Sequence, residues 1–472
     1  GGDALIDAQD ESGKWIFRKK DGSTWGMIYQ PWTYSRWVRA FQLVGDALPP
    51  EEQARWARAL LLGYSGIAEE IRERRNVHNM PAHHAMGLYF ASMVFHKPEW
   101  RALAIAYLHR VAAAQYSDGY WSEHSGPVVL YGTVYVEALG TYLAVSNDQT
   151  LLPVLRKSAV FHAHFTYPDG TDVETIDERN PYWGQVRVPN VGFTFSPEGR
   201  GYLRRQIQLL KGPVPADDAA SLLRWGAEGE AVDCAKGDFD YTLPSGKATV
   251  RRHRPWFLAV SAFTAPLSPN RFIQDRQNFV SVYHDQAGLI LGGGNTKLQP
   301  RWSNFTIGDV RLLQRRPGDE NPNFFPPPGL QHVPSAARLL RDRALGVELV
   351  YGERRGRITL RTIDQNRLEY TVSGDRDMVA HVTILPRIGK VVRAAAGQSA
   401  VLSSAPFDWK PGAWIEHENV RFLLPPGTTA HWPLLPHDPY TKDGHAEAAQ
   451  GRIVLDLPEG GERKLVIEIR NA

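Results

Sequence analysis

Asp118-Gly-Tyr-Trp-Ser-Glu-His-Ser-Gly-Pro-Val-Val-Leu-Tyr131-Gly-Thr-Val-Tyr135 reads as a turn that runs into a helix. Asp118-Gly119 is turn chemistry, because glycine reaches backbone angles closed to other residues. Gly126-Pro127 suits a helix entry, since proline lacks an N–H that the first turn would leave unpaired anyway. From Pro127 to Val145 apolar residues then recur at three- and four-residue spacing. The stretch thus predicts a loop carrying Trp121, Glu123 and His124 at a helix mouth, with Tyr131 about one turn inside. Loops held by a rigid scaffold are where chemistry is usually placed.

The same unit recurs on either side. Pro31–Leu48, Pro50–Arg74, Pro81–Phe95, Pro98–Gln115 and Gln149–His164 share the helical spacing, and several open on proline. Short turns between them imply antiparallel neighbours. Two more helices, near Glu198–Leu210 and Ala216–Ala227, follow a long irregular segment. Paired helices with loops on alternate sides predict an incomplete α/α toroid over residues 1–230, with a plain helical bundle as the alternative. The period changes near Asp238. Phe257–Phe263, Phe279–Tyr283, Gly288–Leu291, Val310–Gln314, Gly346–Tyr351, Arg357–Ile363, Arg367–Val372, Met378–Leu385 and Arg463–Ile469 read as strands. A run of strands after a run of helices predicts a large antiparallel β-sandwich over residues 238–472, an α+β multidomain chain with its junction in Leu210–Asp238. Asn321-Pro-Asn-Phe-Phe-Pro-Pro-Pro328 reads as a stiff, aromatic insertion between strands, a linking loop first and a segment leaning over a cleft as the alternative.

A chain of 472 residues accommodates two or three domains. Its 54 basic and 51 acidic residues leave a net charge of +3, which argues against a nucleic-acid partner needing a concentrated basic face. Arg251-Arg252-His253-Arg254 reads as a solvated turn. No stretch approaches the roughly 20 apolar residues of a bilayer span, so no membrane partner is expected. Cys234 is the only cysteine, which excludes an intrachain disulfide and a thiolate metal cluster. Gly1-Gly2-Asp3 carries no basic-then-apolar leader. Fourteen tryptophans suit both core packing and stacking on sugar faces.

A second constellation is Asn76-Val-His78-Asn79-Met-Pro81-Ala-His83-His84. With Pro81 as a helix start, Asn79 falls just before the first turn, where free N–H groups and the positive helix end face an anion. The alternative role of Asn79 is that of a helix cap. His78, His83, His84 and His124 form a poor metal set, because adjacent His83 and His84 point about 100° apart on a helix. Tyr131, Val134, Tyr135, Ala138 and Tyr142 form one helical stripe. Tyr131, nearest the mouth, is the proton-carrier candidate, and Tyr135 reads as packing. Tyr283-His284, at a strand end, is a further catalytic candidate. Gly292-Gly293-Gly294-Asn295 lacks the following Lys-Ser/Thr of a phosphate loop and reads as a turn. Asp172, Glu174, Asp177 and Glu178 read as solvated loop acids, with a hydrolase carboxylate pair as the alternative.

The helical half, the β-half and the Asp-Gly-aromatic-Trp-x-Glu motif together resemble the heparinase II/III-like polysaccharide lyases, including related alginate lyases. Pro168-Asp169-Gly170 with the acidic stretch after it fits the same pattern. The resemblance implies a β-elimination on a uronate-containing acidic polysaccharide or oligosaccharide. It further implies His78 and Asn79 as the groups that neutralise the carboxylate, and Tyr131 for proton transfer with His124 beside it. Related lyases often place Asn directly before His, whereas Val77 stands there in this chain, so either Asn76 or Asn79 fills that role. The helical half is also short for the family. A periplasmic or extracellular location is the matching expectation; the oligomeric state is left open.

The chemistry is coherent in physical terms. A proton beside a carboxylate is removable only if the developing enolate charge is stabilised, and fixed amide and imidazole donors do this. A tyrosine, with an ordinary pKa of ~10, needs a cationic or hydrogen-bonding neighbour such as His124 to act as base. No metal, redox cofactor or nucleotide is required. Substrate-contact candidates are Trp32, Arg36, Trp121, Glu123 and Arg301, arginine being the better bidentate partner for carboxylate or sulfate. Two other readings compete: a toroid glycoside hydrolase using Asp118 and Glu123, and a carbohydrate-binding protein without catalysis.

Overall fold

The computed structural model describes residues 1–179, 181–182, 184–340 and 344–470. The chain forms two compact units. The first comprises Gly1–Glu123, Val129–Ala163 and Arg187–Cys234; the second comprises His124–Val128, His164–Val186 and Ala235–Ala472. Two short segments of the N-terminal half, one of them carrying His124, therefore group with the second unit.

Nine α-helices run through the described residues: α1 Gly2–Asp7, α2 Pro31–Val44, α3 Pro50–Glu73, α4 Asn79–Val94, α5 Pro98–Ala113, α6 Val129–Ser146, α7 Leu152–His164, α8 Pro197–Leu209 and α9 Ala216–Trp225. A hairpin of Trp15–Arg18 with Thr24–Ile28 precedes α2. In α4, Asn79 and every residue from Pro81 to Ser92 are buried. A helix apolar on all sides belongs at the centre, and α2, α3, α5 and α6 pack around it. Its small residues Ala82, Ala85, Gly87 and Ala91 let the surrounding helices approach.

The helix starts differ from the sequence expectation. Asn79 is the first helical residue of α4, and extended His78 (φ −149°, ψ 159°) holds the cap position. Pro81 is accepted inside the first turn because the N–H it lacks has no intrahelical partner there. Similarly, α6 begins at Val129 rather than Pro127. Gly119 does make the expected turn: its φ is +95°, and a Cβ would lie 2.4 Å from the Lys157 carbonyl oxygen.

The second unit holds two large sheets, and every strand pairing recorded in them is antiparallel. One runs in the order 336–339, 345–351, 354–362, 367–374, 461–469, 420–423, 414–417, 391–394, 399–401. The other runs 407–409, 429–434, 452–456, 378–384, 288–291, 280–284, 256–261, 248–253, 239–242, with 305–308 and 330–331 off the path. Alternate residues of both sheets, including Leu258, Val282, Val347, Leu368, Phe422, Leu455 and Ile467, interleave in one core. This is the sandwich that the change of period predicts.

Three local expectations are corrected, and the loop reading of residues 321–328 holds. Val310–Leu312 is a 3-10 turn rather than a strand. Arg251 to His253 lie in the strand Ala248–His253, where buried Arg252 makes two 2.8 Å hydrogen bonds to Asp285. The 321–328 segment is anchored by Phe324, buried with Leu298, Leu313 and Leu330. The acids Glu174, Asp177 and Glu178 are buried, not solvated.

Candidate active site

The first unit brings two of the motifs together. His78 Nε2 lies 2.8 Å from Glu123 Oε2, an ion-pair distance without the collinearity of an ideal hydrogen bond. Tyr135 donates its hydroxyl proton to Glu123 Oε1 at 2.7 Å. The Glu123 side chain is only 1% exposed, whereas that of His78 is 37% exposed. Trp121 stacks on Tyr135, with ring centroids 5.0 Å apart and planes 20° apart, and donates its indole N–H to the Val111 carbonyl at 2.8 Å. Tyr107 donates to the Asn76 carbonyl at 3.0 Å, fixing the backbone just before His78. Burial first, then the charge of Glu123, pushes the Tyr135 hydroxyl far above its ordinary value, so it remains a donor.

This geometry reassigns two side chains. Tyr135, read as packing, is the hydrogen-bond partner of Glu123. Glu123, read as a substrate contact, is directed to His78 and Tyr135. The signal that links them is Trp-x-Glu in the turn ahead of α6, which folds the carboxylate back over the helix stripe. Asn79 is buried at the first turn of α4, while Asn76 is exposed. Tyr131 is half-buried and one turn before Tyr135 on α6.

A second cluster in the same unit surrounds Glu137 of α6. His83 Nε2 lies 3.3 Å from Glu137 Oε2, and the Trp32 ring lies 5.7 Å from that of His83. Burial would raise the Glu137 carboxyl, but His83, Arg39 and Arg36 together hold it down at about 2. Arg36 pairs with Asp217 at 2.7 Å on the surface. His84 is committed elsewhere, with Nε2 2.8 Å from the Tyr29 carbonyl oxygen and burial lowering it to about 4. Among the described residues, no group of three or more His, Cys, Asp or Glu side chains could hold a metal ion.

The loop 124–128 belongs to the second unit, and His124 is exposed there. The Ser125 N–H donates to Glu178 Oε2 at 2.6 Å, and the Glu178 N–H donates to the Pro127 carbonyl at 3.1 Å. Burial pushes the Glu178 carboxyl up to about 7, against the opposing charge of Arg276. Glu174 accepts from Tyr167 at 2.9 Å and from the Gly293 N–H at 2.9 Å. The three glycines 292–294 all have positive φ, as a turn requires. Tyr283 is buried and stacked on Tyr167 at 5.4 Å, its hydroxyl raised by burial. His284 has both ring nitrogens occupied: Nε2 lies 3.0 Å from the Gln365 carbonyl oxygen, and Nδ1 accepts from the Gln286 N–H. Its surroundings give it a packing role. Arg301 pairs with Asp456 at 3.2 Å.

No family model matches the sequence, and no curated protein matches it. Solved structures do match in shape. A chondroitin AC lyase of Streptomyces coelicolor A3, solved with chondroitin sulphate, aligns over 96% of this chain and 69% of its own at 13% identity and TM-score 0.56. A heparinase III aligns over 94% and 68% at 13% identity and TM-score 0.53. A mutant heparan sulfate lyase of Pedobacter heparinus aligns over 94% and 69% at 11% identity and TM-score 0.54. At these identities the likeness is one of fold. The chain has the heparinase II/III-like polysaccharide lyase fold, an α/α toroid with a large antiparallel β-sandwich.

Proposed function

We propose that this protein is a polysaccharide lyase that cleaves a uronate-containing acidic polysaccharide or oligosaccharide by β-elimination. The observation that carries the reading is the start of α4. There half-exposed His78 holds the cap position of a helix whose first residue is Asn79, without a side-chain cap hydrogen bond, and Glu123 lies against its ring. A helix N-terminus offers unpaired N–H groups and partial positive charge to an anion. His78 and Asn79 add side-chain donors at the same place, where a substrate carboxylate gains negative charge as C5 loses its proton. Tyr131, one turn along α6 from Tyr135, is the proposed proton carrier. In the elimination, the C5–H bond breaks and its electron pair forms the C4–C5 double bond. The C4–O bond breaks as that double bond forms, its electron pair departs on the leaving oxygen, and that oxygen takes a proton, so no water is consumed.

The fold likeness to chondroitin and heparan sulfate lyases supports an acidic sugar polymer as substrate. Substrates of that kind lie outside the cell membrane, which favours a periplasmic or extracellular site of action. No helix among the described residues is long and apolar enough to cross a membrane. The hydrolase alternative loses its pair of flanking carboxylates, because Asp118 is buried and Glu123 is held by His78 and Tyr135. The test is incubation with a panel of uronate polymers, following ultraviolet absorbance of the new conjugated double bond and reducing ends together. Equal growth of both supports elimination; reducing ends without absorbance refute it.

A further inference from the structure

We propose that Glu123 is the positioning residue of His78, fixing the orientation of the ring and which ring nitrogen meets the substrate. The inference deepens the lyase reading and rests on it for its kinetic arm. Three observations carry it. First, the Glu123 carboxylate is almost completely excluded from solvent, yet one of its oxygens is 2.8 Å from His78 Nε2. A buried carboxylate without partners would be costly, and this contact and the Tyr135 hydrogen bond are two of the partners Glu123 has. Second, the other carboxylate oxygen is pinned by Tyr135, whose ring is held flat by Trp121, whose indole is tied in turn to the Val111 carbonyl. The carboxylate, on the loop between α5 and α6, is therefore tied to α6 through Tyr135, while Trp121 of the same loop is tied to α5 through Val111. Third, the backbone of His78 is fixed as the cap of α4, with Tyr107 holding the Asn76 carbonyl next to it.

The consequence for the imidazole is specific. An anion beside Nε2 keeps the proton on that nitrogen, as a carboxylate orients histidine in acid–base and metal sites. Nδ1 is then the nitrogen left for a ligand, and His78 is the exposed member of the pair. The ring–carboxylate contact is not yet collinear, and catalytic hydrogen bonds commonly tighten only once substrate is bound.

The test is Glu123→Gln, which keeps the side-chain shape and a partner for Tyr135 while removing the charge. In the full chain labelled with ¹⁵N-histidine, and with His78 assigned through His78→Gln, the parent should carry its ring proton on Nε2. Glu123→Gln should lose that preference. With an active substrate, kcat should fall about 10–100-fold with KM changed less than about threefold, the effect typical of lost partners behind a working group. Tyr135→Phe, which frees one carboxylate oxygen and keeps the stacked ring, should give a smaller shift of the same kind. It is the arm to use if Glu123→Gln does not fold. An unchanged His78 spectrum in both variants, or unchanged kcat in a folded Glu123→Gln, overturns the proposal. A spectral change in a protein that degrades no uronate polymer refutes the lyase reading alone.

Discussion

At the scale of single residues, Tyr131 carries the largest consequence. If it moves the proton, Tyr131→Phe removes only the hydroxyl, and turnover should fall by about 10²–10⁴ while the melting temperature stays close to the parent's. Near-normal turnover in a folded variant would transfer the role elsewhere on the helix stripe. Glu178 supports a second prediction. Its carboxyl is raised from 4.5 to about 7, so the folded state holds a proton that the unfolded state has already released over that interval. Stability from this group therefore declines as pH rises from about 4.5 to about 7 and levels off above. Glu178→Gln, which can still accept from Ser125, should flatten that decline in denaturation curves measured across the interval. An unchanged pH dependence would contradict the assignment. Of these residues, the Trp-x-Glu turn and the His78-Asn79 helix entry were legible in the sequence, because turn and cap chemistry is local. The partnership of Glu123 with Tyr135 spans 12 positions and that of Glu178 with Ser125 spans 53, so neither leaves a local trace.

Among the elements, α4 and the sandwich strand Arg452–Asp456 are the most constrained. Every side of α4 is filled, so Ala85→Leu should overpack it and cost about 1–3 kcal/mol in denaturant unfolding. Leu223 on α9 is 90% exposed, and Leu223→Ser should stay within about 0.5 kcal/mol. In the sandwich, Asp456 meets His381 Nδ1 at 2.7 Å and His431 Nε2 at 3.2 Å, with Arg301 also against it. Burial would raise this carboxyl, but those neighbours hold it well below the usual carboxylate range. Its contribution is therefore present above the unfolded value and lost as pH falls. Asp456→Asn should cost about 3 kcal/mol near neutral pH and less in acid. A constant difference across pH would contradict the linkage. Helices α2 to α9 were readable because apolar residues at helical spacing, or on every side as in α4, run between proline starts and short turns. Strands such as Val391–Ala394, Ser399–Val401 and Phe407–Trp409 were not, because three or four residues cannot establish a period of two. Helix starts shifted by two residues at Asn79 and Val129, since proline is tolerated at more than one place in a first turn.

For the whole molecule, the change from helical to strand period near Asp238 predicted the architecture, and the solved lyase structures share it. The grouping of residues 124–128 and 164–186 with the second unit was not legible, because those segments are irregular and are held by long-range partners such as Glu178 and Gly293. The near-neutral charge of +3 fits recognition of an anionic sugar by a few placed donors rather than by a basic surface. The central claim is that cleavage is eliminative, and the most direct measurement is a mass balance on one defined uronate oligosaccharide. The account predicts two product fragments whose masses sum to that of the substrate, one of them unsaturated. Fragments whose summed mass exceeds the substrate by one water would contradict it.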